Sequence, residues 1–147
     1  FLMKSKTYRN ISNTNHSYLV YHVILTVKYR KKINHLFDIN KALSYSQRSV
    51  KFKLLYVGLD SDHVHLMIES LPKYSISEIV KDIKQFSTHY LWTNYEYKLS
   101  KIFYKKRIFW NSSYFVNTLG NVSIYKIEQY LETQLYGKCI PLPKGTI

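Results

Sequence analysis

Two apolar runs, residues 52–58 and 63–69, flank the segment Gly58-Leu-Asp-Ser-Asp62, and this arrangement restricts the fold more than any other stretch. Both runs have strand-like composition, and the Gly and Asp residues between them suit a turn, so the spacing predicts a β-hairpin. In a strand, side chains two apart project to the same face. His63 and His65 therefore leave the second strand together, as a rigid pair able to grip one cation. Leu66, Met67 and Ile68 follow at once, which puts the pair at the entrance of a core strand.

The remaining elements follow from periodicity. Residues 18–30, rich in β-branched and aromatic side chains, predict a first buried strand whose polar end leads into Lys31-Lys32. Residues 35–49 predict a modest helix with Leu36, Ile39 and Leu43 roughly on one side. Ser75-Ile-Ser-Glu78 has the capping-box pattern, and Ile76, Ile79, Val80, Ile83, Phe86 and Tyr90 continue at helical spacing, predicting a helix over about 75–93. Residues 107–118 read as one or two further strands. A last helix is expected over about 123–136, with Ile124, Ile127, Leu131 and Leu135 as its apolar stripe and Lys126, Tyr130 and Gln134 beside it. Strands interleaved with helices argue for an α+β domain with a largely antiparallel sheet.

At 147 residues the chain suits one domain and is too short for two ordinary ones, so 1–147 is expected to form a single unit. Within it, 1–14 reads as a flexible N-terminal arm and 137–147 as a short tail, with Pro141 and Pro143 ending regular structure. No run approaches the ~18 apolar residues that a membrane span requires, so a soluble protein is expected. Phe1-Leu2-Met3-Lys4 is too short in apolar length for a signal peptide, and Met3 reads as the natural start. The single Cys139 cannot form an internal disulfide, which fits a reducing cytoplasm.

Charge points to the partner. Twenty-two Lys and Arg against nine Asp and Glu give a formal net charge of +13. Residues 1–37 and 97–127 each carry several basic side chains and no acid, interleaved with Tyr, Phe or Trp. Cations neutralise phosphates, and aromatic faces stack on unpaired bases at ~1–3 kcal/mol each, so this mixture suits single-stranded nucleic acid. Lys28, Arg30, Lys31, Lys32, Lys81, Lys84, Lys105, Lys106 and Arg107 are the candidate DNA contacts.

Two histidines are an incomplete ligand set. Asp60 and Asp62 stand beside them as acceptors able to orient the imidazoles. A third oxygen donor, from Gln134 or a nearby carboxylate, would leave positions open for phosphate oxygens on a hard cation such as Mg²⁺ or Mn²⁺. Most of the fifteen Tyr must be structural. Tyr130 lies one turn before Gln134, and although position alone does not set it apart, a phenol of pKa ~10 becomes a nucleophile near neutral pH when a nearby cation assists it.

These pieces occur together in one family. Asn15-His16-Ser17 and Tyr21-His22-Val23 leading to Lys28-Tyr29-Arg30-Lys31-Lys32, then Asp60-Ser-Asp-His-Val-His-Leu-Met67, Ile83-Lys-Gln-Phe-Ser-Thr88 with Leu91-Trp92, and Phe109-Trp110-Asn111 through Thr118-Leu-Gly120 into Ile127-Glu-Gln-Tyr-Leu-Glu-Thr-Gln134 run in order over nearly the whole chain. In this the chain resembles the single-tyrosine HUH transposases of the insertion-sequence 200/605 group. The resemblance implies a ferredoxin-like antiparallel sheet flanked by helices, the HUH nuclease fold. It implies His63, His65 and Gln134 as metal ligands, and Tyr130 as the nucleophile that forms a 5′-phosphotyrosine. It further implies a homodimer, with the tyrosine helix acting on its own or the partner's histidines, and recognition of DNA hairpins at element ends in a bacterial or archaeal cytoplasm. Two departures stand out: Gly120-Asn121 replaces a common second glycine, and only thirteen residues follow Gln134.

Rival readings are a domesticated relative acting on chromosomal repeat hairpins, a non-catalytic single-strand binder with a structural His pair, and a metallohydrolase. The last is disfavoured because the chain lacks a dense carboxylate and His set.

Overall fold

The alternation of Leu19–Val27, strand β1, divides the molecule into two faces. Tyr21, Val23, Leu25 and Val27 enter the main hydrophobic core, and the intervening Val20, His22, Ile24 and Thr26 take the opposite side. The structure is a computed structural model that describes residues 19–120. The expected arm over 1–14, late helix over 123–136 and tail over 137–147 lie outside the described residues, as do Tyr130 and Gln134.

β1 stops at Val27, short of the expected end at residue 30, because Tyr29 and Arg30 adopt left-handed φ values of 62° and 55°. A strand cannot continue through that region of backbone space. The helix expected over 35–49 is broken into a 3₁₀ turn at Asn34–Leu36, helix α1 at Ile39–Tyr45 and a second 3₁₀ turn at Ser46–Ser49. The break falls at extended Phe37, after which the Asp38 side chain caps α1 by accepting from the Lys41 N–H.

Strands β2 (Phe52–Leu59) and β3 (His63–Ser70) form the expected antiparallel hairpin. Gly58 is not part of its turn. It lies in β2 directly opposite His65, where an added Cβ would sit 2.8 Å from the Tyr56 hydroxyl.

Helix α2 begins as its capping residues require, with the Ser75 side chain accepting from the Glu78 N–H, but it runs from Ile76 to Phe103 instead of ending near 93. Tyr95 leaves helical geometry, at φ −132° and ψ 34°, without ending the helix. Its hydroxyl accepts from the Asp38 N–H at 3.2 Å and its ring meets Phe37 edge-on. Beyond it Leu99 and Phe103 return to the core.

Strand β4, Trp110–Gly120, pairs with β1 and completes a four-stranded antiparallel sheet in the order β2-β3-β1-β4. This is the β-α-β-β-α-β ferredoxin-like arrangement. Both helices share the core with Val23, Leu25, Val64, Leu66 and Ile68, so the odd-numbered residues of β3 occupy the face away from them. The apolar β1 is interior, covered by β3 and β4 of its own chain, and so requires no partner molecule to shield it. Among the described residues no helix is long and apolar enough to cross a membrane.

Candidate metal centre and nucleic-acid surface

The alternation of β3 turns His63 and His65 to the face away from the helices, while Val64 and Leu66 are fully buried in the core. Their Nε2 atoms lie 3.2 Å apart. Asp60, on the turn preceding β3, brings Oδ2 to 3.1 Å from His63 Nε2 and 3.8 Å from His65 Nε2. One ligand atom from each of these three residues falls within a 4.8 Å cluster, a spacing that suits a single divalent cation. Two imidazoles and a carboxylate are a donor set for Mn²⁺ or, with water and substrate oxygens, Mg²⁺. The residues present thus fit a metal.

The opposite nitrogens are held as well. Asp62 Oδ1 lies 2.7 Å from His63 Nδ1, and Asp62 Oδ2 accepts from Arg30 Nε at 3.0 Å. The hydrogen bond to His63, then Arg30, keeps the Asp62 carboxyl below the usual carboxylate range against the opposing effect of burial. The left-handed Tyr29 and Arg30 bring the guanidinium to this position, a local use of unfavourable backbone geometry. His65 Nδ1 faces His22 Nε2 at 3.0 Å. Burial, followed by the neighbouring charge of His63, lowers the pKa of His65, with Asp60 opposing. His22 is lowered to about 4, chiefly by burial and then by His65. Burial acts this way because it disfavours the charged imidazolium.

Sequence reasoning did not single out two residues that shape this site. Asn34 is buried, and its side-chain amide donates to the carbonyls of Asp60 and His63 at 2.8 and 3.2 Å, clamping the turn from both ends. An Asn between Ile33 and His35 carries no such signal in a linear reading. His22 sits in the motif carrying the family resemblance, yet its closeness to His65 depends on the pairing of β1 with β3.

The candidate DNA contacts fall into three groups. Lys28, Lys31 and Lys32 lie in the loop after β1, beside Arg30 and near the histidine end of the sheet. Lys105, Lys106 and Arg107 are exposed in the segment between α2 and β4. Lys81 and Lys84 line an open groove of about 650 Å³ on the helix side of the sheet, with Arg107, Trp110 and Tyr114. Lys84 is partly committed within the fold, since its ammonium donates to the carbonyls of Asn111 and Ser112 at 2.7 and 2.9 Å. Its pKa is lowered by burial first and by Lys28 second.

A ferredoxin-like sheet carrying paired histidines on the face away from α1 and α2 is the HUH fold of the single-tyrosine transposases. A family model described as "Transposase IS200 like" matches residues 15–134, and the chain belongs to that family. The transposase for insertion sequence element IS200 of Salmonella typhimurium is 28% identical over 118 residues, covering 78% of this chain and 76% of the relative. The ISDra2 transposase TnpA of Deinococcus radiodurans is 28% identical over 122 residues, covering 79% and 84% respectively. Among solved structures, one described as a transposase of Deinococcus radiodurans R1 aligns at a TM-score of 0.60 and 26% identity, covering 83% of this chain and 94% of that one. A REP-associated tyrosine transposase bound to a REP hairpin shares the fold at a TM-score of 0.53 and 12% identity, over 82% and 69% of the two chains.

Proposed function

We propose that this chain is a metal-dependent DNA transposase that cleaves and rejoins single-stranded DNA at hairpin-marked element ends. The observation that carries this reading is the convergence of Asp60 Oδ2 with the Nε2 atoms of His63 and His65 on the sheet face away from the helices, in a member of a transposase family. Gln134 is the proposed further oxygen donor. Asp62 orients His63, and the basic loop at Lys28–Lys32 lies beside the site to receive phosphates. Lys81, Lys105, Lys106 and Arg107 extend the basic surface for the rest of the hairpin, and Lys84 contributes charge from its anchored position.

When bound, Mg²⁺ or Mn²⁺ supplies Lewis-acid polarisation of the scissile phosphate. The Tyr130 oxygen attacks phosphorus and forms a 5′-phosphotyrosine. The bond to the 3′ oxygen breaks, that oxygen leaves as a hydroxyl, and the phenolic proton balances it. Attack by another 3′-hydroxyl reverses these changes and rejoins DNA with no external energy source. The working unit is proposed to be a cytoplasmic homodimer in which Tyr130 serves its own or the partner's histidines.

Incubation with short single-stranded hairpin DNA and Mg²⁺ should yield a protein–DNA adduct that survives a denaturing gel. Tyr130→Phe should abolish adduct and cleavage while hairpin binding stays within a few-fold, since only the attacking oxygen is lost. An adduct persisting in Tyr130→Phe protein would move the nucleophile elsewhere. Full cleavage in excess chelator would refute the metal requirement.

A further inference from the structure

His22 and His65 are 43 positions apart in the chain, yet His22 Nε2 lies 3.0 Å from His65 Nδ1. Register explains the encounter: β1 pairs His22 with Met67, so His65 is the diagonal neighbour on the same face. Long side chains reach one another across that diagonal. The two rings lie nearly parallel, at 16° with centroids 5.3 Å apart, and His22 is only 4% exposed. Its ring is therefore held by packing and is not a mobile surface group.

A neutral imidazole bears one N–H and one lone pair, and the protonated nitrogen cannot bind a metal. In the cluster with Asp60 and His63, it is Nε2 of His65 that faces the other donors. His65 can ligate there only with its proton on Nδ1, the atom that faces His22. His63 has a corresponding support, since its Nδ1 faces Asp62. The two ligands are thus backed differently, one by a carboxylate and the other by a buried imidazole.

We propose that His22 is a positioning residue that accepts a hydrogen bond from His65 Nδ1–H, so that the Nε2 lone pair is presented to the metal before the metal arrives. This rests on the reading of His65 as a metal ligand and extends it to a residue of another strand. Removing such a support typically weakens metal binding by ~10–100-fold. His22→Leu removes the acceptor and keeps an apolar filling, whereas His22→Gln returns an oxygen acceptor at a similar reach.

The decisive measurement is a two-bond ¹H–¹⁵N spectrum of the imidazole rings in the metal-free unmodified protein, which reports the tautomer of His65 directly and requires no variant to fold. The Nδ1–H form is expected, and a predominant Nε2–H form would overturn the proposal. In parallel, Mn²⁺ titrations followed by electron paramagnetic resonance should give a dissociation constant ~10–100-fold weaker for His22→Leu and within a few-fold of the unmodified protein for His22→Gln. Circular dichroism identifies a variant that has not folded, in which case the tautomer spectrum decides. Unchanged Mn²⁺ affinity in folded His22→Leu protein would overturn the role of His22 alone. Absence of Mn²⁺ binding by the unmodified protein, or binding indifferent to His65→Ala, would remove the metal centre and this proposal with it.

Discussion

One buried amide secures the turn that aims the histidines. Asn34 donates through its side chain to Asp60 and His63 and through its backbone N–H to Ser61, at 3.0 Å for the last. Asn34→Ala should lower stability by ~1–3 kcal/mol, the usual effect of losing two side-chain hydrogen bonds, here those to the Asp60 and His63 carbonyls. Asn34→Asp should be worse, because it adds a buried charge and still supplies no donor. Urea unfolding of both variants checks the order, and equal stabilities would show that the clamp is unimportant. Glu69, on the same face of β3 as the histidines, is buried, and its Oε1 has no hydrogen-bond partner among the described residues. Burial pushes its pKa up to about 7 from an ordinary 4.5, with Lys53 opposing. The folded state therefore holds this proton more tightly than the unfolded chain does. The stability it contributes is full below about pH 4.5 and is lost as pH rises through 7. Glu69→Gln should leave the unfolding free energy at pH 4 nearly unchanged and raise it at pH 8 by up to about 3 kcal/mol. A variant equally shifted at both pH values would refute the ionisation argument.

Helix α2 shows why its first half was readable and its second half was not. Its start has a capping pattern, and Ile79, Val80 and Ile83 are buried as their spacing predicts. Farther along, the buried positions include Ser87, which an apolar pattern passes over. Ser87 is fully buried because its Oγ donates to the Ile83 carbonyl at 2.6 Å and accepts from Trp110 Nε1 at 2.9 Å. Trp92 Nε1 donates to the Ile108 carbonyl at 3.0 Å, so two indoles fasten α2 to the first residue of β4 and to the segment just before it. Ser87→Ala should cost about 1–3 kcal/mol by leaving the Trp110 N–H unsatisfied. Adding Trp110→Phe should then cost less than it does in the unmodified protein, because the orphaned donor is removed with the indole. Additive losses in a urea double-mutant cycle would rule out that coupling. The continuation past residue 93 relies on tertiary contacts, since the Tyr95 hydroxyl, the Phe37 ring and the buried Leu99 and Phe103 hold a segment whose local spacing is poor.

The assembled domain has basic groups on more than one side. The Lys28–Lys32 loop flanks the Asp60, His63 and His65 cluster, while Lys81 and Arg107 line the groove on the helix side. Binding should favour hairpin or single-stranded DNA over blunt duplex and weaken steeply with salt, the log–log slope being ~0.7 per neutralised phosphate on a single strand. Equal affinity for long duplex at matched salt would indicate a general duplex binder. Among the described residues, the sheet edges are β2 and β4, and exposed Phe115 lies on β4. The edge of a sheet is a ready pairing surface, so light scattering at micromolar concentration should report a dimer, and a monomer would refute that assembly. Co-expression of Tyr130→Phe with His63→Ala protein should restore some cleavage if Tyr130 acts on the partner, because a mixed dimer then keeps one intact site.

Local physics made the β2–β3 hairpin, the beginning of α2 and the α+β class legible, because turn residues, capping groups and side-chain periodicity act over a few residues. His63 and His65 were legible as a pair for the same reason: strand alternation alone aligns them. Local patterns could not reveal that Gly58 faces His65, that Asn34 clamps the turn, that Arg30 reaches Asp62 or that His22 backs His65. Each of these depends on strand order and register across intervening chain. Burying one continuous core between the helices and the sheet selects that order and register, and no single stretch of sequence encodes it.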